Sequence, residues 1–522
     1  MPAGTTRARG HVLWVLVLLL ASLGAACSGG KDGSAGGGLL LSRVSVSVVP
    51  GGAEEIRVLQ MEGRSAEGTF TAESSDEAVA TATVSGAEIT ISGVGLGVCT
   101  VTVRSAEGPW QRIPVQVYDH HVLDTGELLV TFTDRFERIV DLPQVVYNDA
   151  ELLIREEQFV ASVWRPVPPE GFVALGSFMV RSIADPSGQE AVMVVRAKPG
   201  SDALVLTTEY DPVYQLVYSS KKGTRFLRPR CPDGYRALGD VASYGTTIPW
   251  PYPTPCVRQD LTVLGAAESN IHTTSGQEVL SFWNVDLPNA GPHDGTHLAP
   301  GTFVLAQGTA APSFDLAQNV LRVELPMLAE APPQTFIPKL TDIVRPPLET
   351  PPLFAKAMLV PCTMTRDALH VDLPWRVANS PFYRLERHVF YKMLAFRYNE
   401  GSVLLPGSVV IRSGVTTEER NAFHTSTNVA ISYEAGVQLG DFLSGKVTST
   451  VSREFGYETQ TAVTALSEKE VSTSFDTPPG KASVVWQEYN RYVLYRHVGT
   501  MLEPVAAWEF GMDSFVTDDH PD

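Results

Sequence analysis

The 522-residue sequence predicts an all-β protein made of three successive blocks behind a short leader. Three observations carry this. Runs of four to nine residues alternate apolar and polar side chains, as half-buried strands do because successive side chains point to opposite faces. Gly, Pro, Ser and Asn punctuate these runs in the manner of sandwiches and barrels. A set of turn and strand motifs also returns after 63 residues, Gly171 as Gly234 and Gly176 as Gly239, and repeated sheet units of this kind share a core around a pseudo-threefold axis.

The leader sets the expected compartment. Arg7 and Arg9 precede an apolar run from Val12 through Leu20 to Leu23, then Gly24, Ala25, Ala26 and Cys27. A basic start, a short apolar core and small residues at the cut describe a secretory signal, and the run is shorter than the roughly 20 apolar residues of a spanning helix. Leu23-Gly-Ala-Ala-Cys27 resembles a bacterial lipobox, which implies that residues 1–27 are a lipoprotein signal peptide and that Cys27 carries the lipid. Residues 28–40, rich in Gly and Ser, read as a flexible tether. The expected location is the cell envelope, with the chain anchored by lipid to a bacterial membrane, at the outer membrane or cell surface.

Charge and cysteine content narrow the function. A net charge of −18 argues against a nucleic-acid partner, which demands a basic face. No later segment is apolar enough for a membrane helix. Of five cysteines, Cys27 is set aside for lipid, and the other four face an oxidising compartment. No CxxC pair occurs, which argues against a zinc ribbon. Cys99 and Cys362 are given no partner.

The first block, 41–119, has strands at Val44–Val48, Ile89–Ile91, Gly97–Val103 and Ile113–Val117, with Glu73-Ser-Ser-Asp-Glu-Ala-Val-Ala80 ahead of the second. Gly93, Gly95 and Gly97 lie between two strands with no helix behind them, so they are not a nucleotide loop. The order of motifs resembles the bacterial immunoglobulin-like group 2 domain, which implies a sandwich that serves as a spacer or adhesive module.

The second block, 120–324, holds the repeat. Trp164-Arg-Pro-Val-Pro-Pro-Glu-Gly-Phe-Val-Ala-Leu-Gly176 returns as Leu227-Arg-Pro-Arg-Cys-Pro-Asp-Gly-Tyr-Arg-Ala-Leu-Gly239, each followed by a Val-Arg strand, Val194-Val-Arg196 and Cys256-Val-Arg258. Trp283 and Gly301–Ala306 mark a degenerate third copy. In each Pro-x-Gly-aromatic element (Pro169, Gly171, Phe172; Pro232, Gly234, Tyr235) the glycine supplies the backbone angle of a tight turn feeding a strand. Phe172 and Tyr235 are candidates for stacking on sugars, though turn packing is the expected role. The block resembles the vacuolar protein sorting-associated protein 62 family, which implies a β-prism-like fold and no particular chemistry. Cys231 beside the turn and Cys256 on the return strand of the second copy are the expected disulfide.

The third block, 325–522, opens with the Pro-rich connector Arg345–Pro352. Phe382–Lys392 and Ala482–Tyr495 read as strands with dense aromatic rows, the former on one side. Between them lies a Ser/Thr-rich stretch with two long candidate strands, Thr417–Val437 and Lys446–Val463. In the first, Val429, Ile431, Tyr433, Val437 and Leu439 alternate with polar or small residues. Phe442 and Leu443 form an apolar tip, and Val447 and Val451 continue on the return. A barrel strand crosses a bilayer with about 9–11 residues of this alternation. The layout resembles the aerolysin-like β-pore-forming proteins, which implies an elongated β-domain carrying an amphipathic hairpin.

Catalytic readings fail on the residues. Gly440-Asp-Phe-Leu-Ser-Gly-Lys446 ends in Val447 where a phosphate loop needs Ser or Thr, and it lies between strands. His293, Asp294 and His297 fall in a Gly- and Pro-rich surface loop. His120-His121 lies at a block junction and is expected to be exposed. No catalytic residue, metal or cofactor is assigned. Two functions are expected: an exported pore-forming or membrane-damaging protein whose prism recognises a glycan or lipid head group and which assembles into a homo-oligomer, or a non-inserting surface binding or adhesion protein. The alternating hairpin favours the first and the lipid anchor the second.

Overall fold

The computed structural model describes residues 38–521 apart from 62–63, 66–67, 147–157, 217–223, 244–252, 268, 277, 287–295, 313–317, 324–327, 329–335, 364, 415 and 428–468. Cys27, most of the tether, His293 and Asp294 therefore lie outside the described residues. So do Val429, Ile431, Tyr433, Val437, Leu439, Phe442, Leu443, Val447 and Val451. Regular structure is almost entirely strand.

The first block is a two-sheet sandwich. Leu39–Leu41, Ala53–Met61, Glu88–Gly93 and Ala80–Ser85 form one sheet; Val46–Val48, Trp110–Val117, Gly97–Ser105 and Phe70–Ser74 form the other. The strand expected over Val44–Val48 is shorter, Val46–Val48. Residues 42–45 carry the chain from one sheet to the other, and a strand cannot belong to both. Alternate residues Ile56, Ile89, Ile91, Val101, Val103, Ile113 and Val115 close a core with almost no exposure. A Cβ on Gly93 would lie 2.5 Å from the Val49 carbonyl oxygen, so close backbone approach accounts for that glycine.

The second block contains three copies of one six-strand unit. The first uses Leu128–Thr133, Phe136–Pro143, Phe159–Pro166, Val173–Ala174, Phe178–Val180 and Val192–Ala197. The second uses Leu204–Thr207, Tyr210–Leu216, Thr224–Pro229, Tyr235–Arg236, Val241–Ser243 and Thr254–Arg258. The third uses Thr262–Leu264, Asn270–Thr273, Leu280–Asn284, Thr296–Leu298, Phe303–Gln307 and Asn319–Val323. In every copy the second, third and fifth strands pair in that order, and the first, sixth and fourth pair in that order. The fifth strand of the third copy contains most of Gly301–Ala306, so the degenerate copy is a full one. The second-third-fifth sheets meet around one core of Val140, Val163, Phe226, Phe282, Phe303 and Leu305.

The repeated Ala-Leu-Gly has a physical reason at this axis. A Cβ on Gly176 would stand 2.9 Å from the Thr302 methyl, and one on Gly239 would overlap Thr302. Two copies thus present bare backbone to the third. Asp240, beside them, is buried and accepts both Arg228 nitrogens at 2.9 and 2.8 Å and the Leu305 amide at 2.8 Å. The Pro-x-Gly elements are tight turns, with the Phe172 and Tyr235 amides donating to the Pro169 and Pro232 carbonyls at 3.1 Å. Gly171 and Gly234 have φ of +78° and +84°, angles that L side chains resist. Cys231 and Cys256 form a disulfide with Cα atoms 5.7 Å apart.

The third block is built on an antiparallel sheet ordered Leu353–Pro361, Phe382–Tyr398, Ala482–Val498 and Met501–His520. The last three strands have 17, 17 and 20 residues, roughly 55 Å or more of strand each at about 3.3 Å per residue. Two of them run past the expected Phe382–Lys392 and Ala482–Tyr495. Nor are the aromatics of the first confined to one side. Phe382, Tyr383, Arg384, Leu385 and Glu386 are all buried, because this half of the strand is covered on both faces. Tyr383 and Leu385 share a core with Val195, Val257 and Leu321, one residue from the sixth strand of each repeat. Arg384 and Glu386 turn to the sandwich.

Replacing both Cys231 and Cys256 by Ser is expected to lower stability by about 3.5 kcal/mol, the chain-entropy value for a loop of this length. Thermal denaturation followed by circular dichroism would show this as a lower midpoint with an unchanged native spectrum.

Candidate membrane-acting element and its anchorage

Ser408–Ser413 pairs antiparallel with Lys469–Ser474, and Ser413 stands opposite Lys469. The chain thus leaves this two-stranded sheet and returns to it at directly opposed positions, with residues 414–468 between. Gly414 donates its amide to the Gly511 carbonyl at 2.7 Å, tying this doorway to Met501–His520. Gln487 reinforces it from within, donating from Nε2 to the Met512 carbonyl at 3.0 Å and the Arg412 carbonyl at 3.3 Å.

Residues 417–427 correct the sequence reading. The strand expected from Thr417 is an α-helix over Thr417–Thr427. Its start is a capping box: Glu419 donates its amide to Thr416 Oγ1 at 3.1 Å, and Glu419 Oε2 accepts the Thr416 amide at 2.8 Å. Two amides that a helix start leaves orphaned are thereby satisfied. Tertiary packing fixes the rest. Phe423 is fully buried and meets Tyr492, Trp508 and Phe510 with centroids at 5.5, 4.9 and 6.1 Å. The helix lies on the long sheet, seated by this ring and by the Arg366 amide, which donates to the Ser426 carbonyl at 3.0 Å.

One rung away, where Glu386 pairs with Val493, the other face of the sheet is clamped by buried charge. Arg43 of the sandwich makes a two-pronged bond to Glu386 at 3.1 and 3.0 Å and lies over the Phe354 ring at 4.0 Å. Arg384 pairs with Glu386, reaches Glu54 at 3.2 Å and donates to the Ser47 carbonyl at 2.6 Å. His388 touches Glu386 at 2.9 Å. Burial alone would raise the Glu386 carboxyl, but Arg384, Arg43 and the His388 hydrogen bond outweigh it and hold it well below its usual value. Arg43, Glu54, Arg384 and Glu386 line an open cavity of about 500 Å³ with Tyr495 and His497. The turn at Gly499–Thr500 docks here too, for a Cβ on Gly52 would lie 3.0 Å from the Thr500 carbonyl oxygen.

His120, expected to be exposed, is buried, whereas His121 is exposed. The His120 ring is stacked between His121 at 3.9 Å and His497 at 4.2 Å. On the prism, Pro169, Gly171, Pro232 and Gly234 sit on the exposed rim, while Gly176 and Gly239 are at the buried axis. Phe172 is half-buried with Arg196 over its ring at 4.7 Å, and Tyr235 donates its hydroxyl to the Asp202 carbonyl at 2.9 Å. Both aromatics are therefore engaged in turn packing. Tyr235 pairs with Arg258, and His297 stands at the matching place opposite Arg322. Sequence reasoning missed the Arg43–Glu54–Arg384–Glu386 cluster, whose signal was a set of charges, Arg384, Glu386, Arg387 and His388, inside an aromatic strand. Among the described residues no helix is long and apolar enough to cross a membrane.

The family model described as vacuolar protein sorting-associated protein 62 matches residues 197–325, which span the second and third copies of the repeat. No curated protein matches the chain. Three solved structures are among those that the chain is similar to. GNIP1Aa from Chromobacterium piscinae is 19% identical with a TM-score of 0.27, over 35% of this chain and 34% of that one, so the chain spans about a third of it. Cry35Ab1 is 12% identical with a TM-score of 0.29, over 77% of this chain and 91% of that one. The oligomeric pore-forming toxin pro-Monalysin is 7% identical with a TM-score of 0.13, over 26% of this chain and 61% of that one.

Glu386→Gln is expected to destabilise the fold by about 3–5 kcal/mol, because it leaves two buried cations, Arg43 and Arg384, to share Glu54 as counter-charge. A carboxyl depressed by folding adds stability above its usual value near 4.5 and loses that contribution as pH falls toward its folded value. Urea unfolding across acid pH should accordingly show a steeper decline in the parent than in the variant. Phe423→Ala removes the ring that seats the helix, at a cost of about 3–5 kcal/mol if the site stays closed. Limited proteolysis and hydrogen exchange should find Thr417–Thr427 opened while the prism keeps its protection.

Proposed function

We propose that the protein is an exported lipoprotein whose C-terminal block damages membranes by inserting the segment 429–451 as a β-hairpin, with the prism as its recognition head. The observation that supports this reading best is the doorway. A segment whose two roots are paired at Ser413 and Lys469 can change conformation without unthreading any described strand. The alternation of Val429, Ile431, Tyr433, Val437 and Leu439 suits a strand with one face to lipid and one to water. Strands of 17–20 residues give the hairpin a scaffold long enough to extend. In this reading the C-terminal block is aerolysin-like, the sandwich is a bacterial immunoglobulin-like spacer, Cys27 carries the lipid anchor at the bacterial envelope, and pores form as rings of identical chains. The prism would take a glycan or lipid head group, and no step is catalytic.

The second reading, a surface binding or adhesion protein that never inserts, draws on the clamp. Sandwich, prism and long sheet are joined through buried charge and a common core, as suits a rigid display scaffold.

Dye release from liposomes, with soluble protein starting after Cys27, separates the two. The membrane-damaging reading expects leakage from the parent and none when residues 429–451 are replaced by a short Gly-Ser turn. Folded protein that releases no dye from any of several lipid mixtures, with or without mild proteolysis, leaves the display reading standing.

A further inference from the structure

The segment joining the sandwich to the first copy of the repeat carries Asp119, His120 and His121, and we propose that these three residues bind a divalent transition-metal ion, Zn²⁺ foremost. One ligand atom from each lies within 4.8 Å of the other two. Asp119 Oδ1 and His121 Nδ1 are 3.1 Å apart, near the roughly 3.4 Å between two ligands held at about 2.1 Å in a tetrahedron. His120 closes the set from the buried side after a shift of about 1 Å.

Two features around the three residues point to an ion. The His120 ring is hydrogen-bonded to the Asn379 backbone. Donating one ring N–H to a carbonyl fixes the tautomer and leaves the other nitrogen as a lone-pair donor, the usual setting of a metal-bound imidazole. Beside it, His497 is 1% exposed and stacks on His120 at 4.2 Å. Its Nε2 meets the Tyr118 hydroxyl at 3.0 Å, while its Nδ1 is buried without a hydrogen-bond partner. Two imidazoles and a carboxylate suit Zn²⁺, Ni²⁺ or Co²⁺, and do not suit the oxygen-seeking Mg²⁺ and Ca²⁺. Asp119 and His121 are exposed, so the ion has a path in and an open coordination position. Bound there, it fastens the end of the sandwich to the wall formed by Asn379 and His497 of the third block.

The test is Zn²⁺ titration of the whole chain by calorimetry, with melting measured in Zn²⁺ and in Mg²⁺. Asp119→Asn and His121→Ala are the variants, since both residues are exposed and neither supports the core. His297→Ala controls for the other histidine-bearing segment. Saturable binding of one ion per chain is expected, with a melting midpoint that rises with Zn²⁺ and not with Mg²⁺. Each variant should weaken binding by at least about tenfold, and His297→Ala should leave it unchanged. The proposal is overturned by an absence of saturable Zn²⁺ binding, by an equal response to Mg²⁺, or by undiminished affinity in the Asp119→Asn/His121→Ala double variant.

Discussion

The arrangement depends on one strand being buried on both faces. In the first half of Phe382–Tyr398, Tyr383 and Leu385 complete the core at the base of the prism, while Arg384 and Glu386 meet Arg43 and Glu54 of the sandwich. Apolar contact holds one side and buried charge the other, and the two are not equivalent. The apolar side tolerates a change of shape as long as volume is kept. The charged side requires all its partners, since an ion left alone in a low dielectric costs several kcal/mol. The sandwich is therefore docked by the less forgiving of the two.

The repeat was legible because its signals are local. A glycine at a tight turn and a glycine facing Thr302 are fixed by steric exclusion, and exclusion leaves a mark on sequence even where packing does not. The third copy was faint because it keeps fewer of those marks. Gly301 holds the place of Gly176 and Gly239, but Pro300 stands for the leucine and His297 for the aromatic that follows the turn.

The helix at Thr417–Thr427 and the charged clamp were not read. Thr416 and Glu419 form a capping box that was present in the residues, but the Ser/Thr alternation that follows outweighed it. Phe423 decides the matter through Tyr492, Trp508 and Phe510, all more than 60 positions away in sequence. Arg384 and Glu386 stood out as charges among aromatics. Nothing nearby in the chain says that their partners come from residues more than 300 positions earlier.

The doorway at Ser413 and Lys469 has a consequence for how this chain can change. The entropy of closing a loop grows only with the logarithm of its length, about 0.6 kcal/mol for each doubling. Once the two ends are stitched side by side, the scaffold is almost indifferent to how many residues lie between them. Insertions, deletions or exchange between the helix Thr417–Thr427 and Lys469 leave the long sheet and prism under the same restraints. What the chain displays from there can be rewritten faster than the body that carries it.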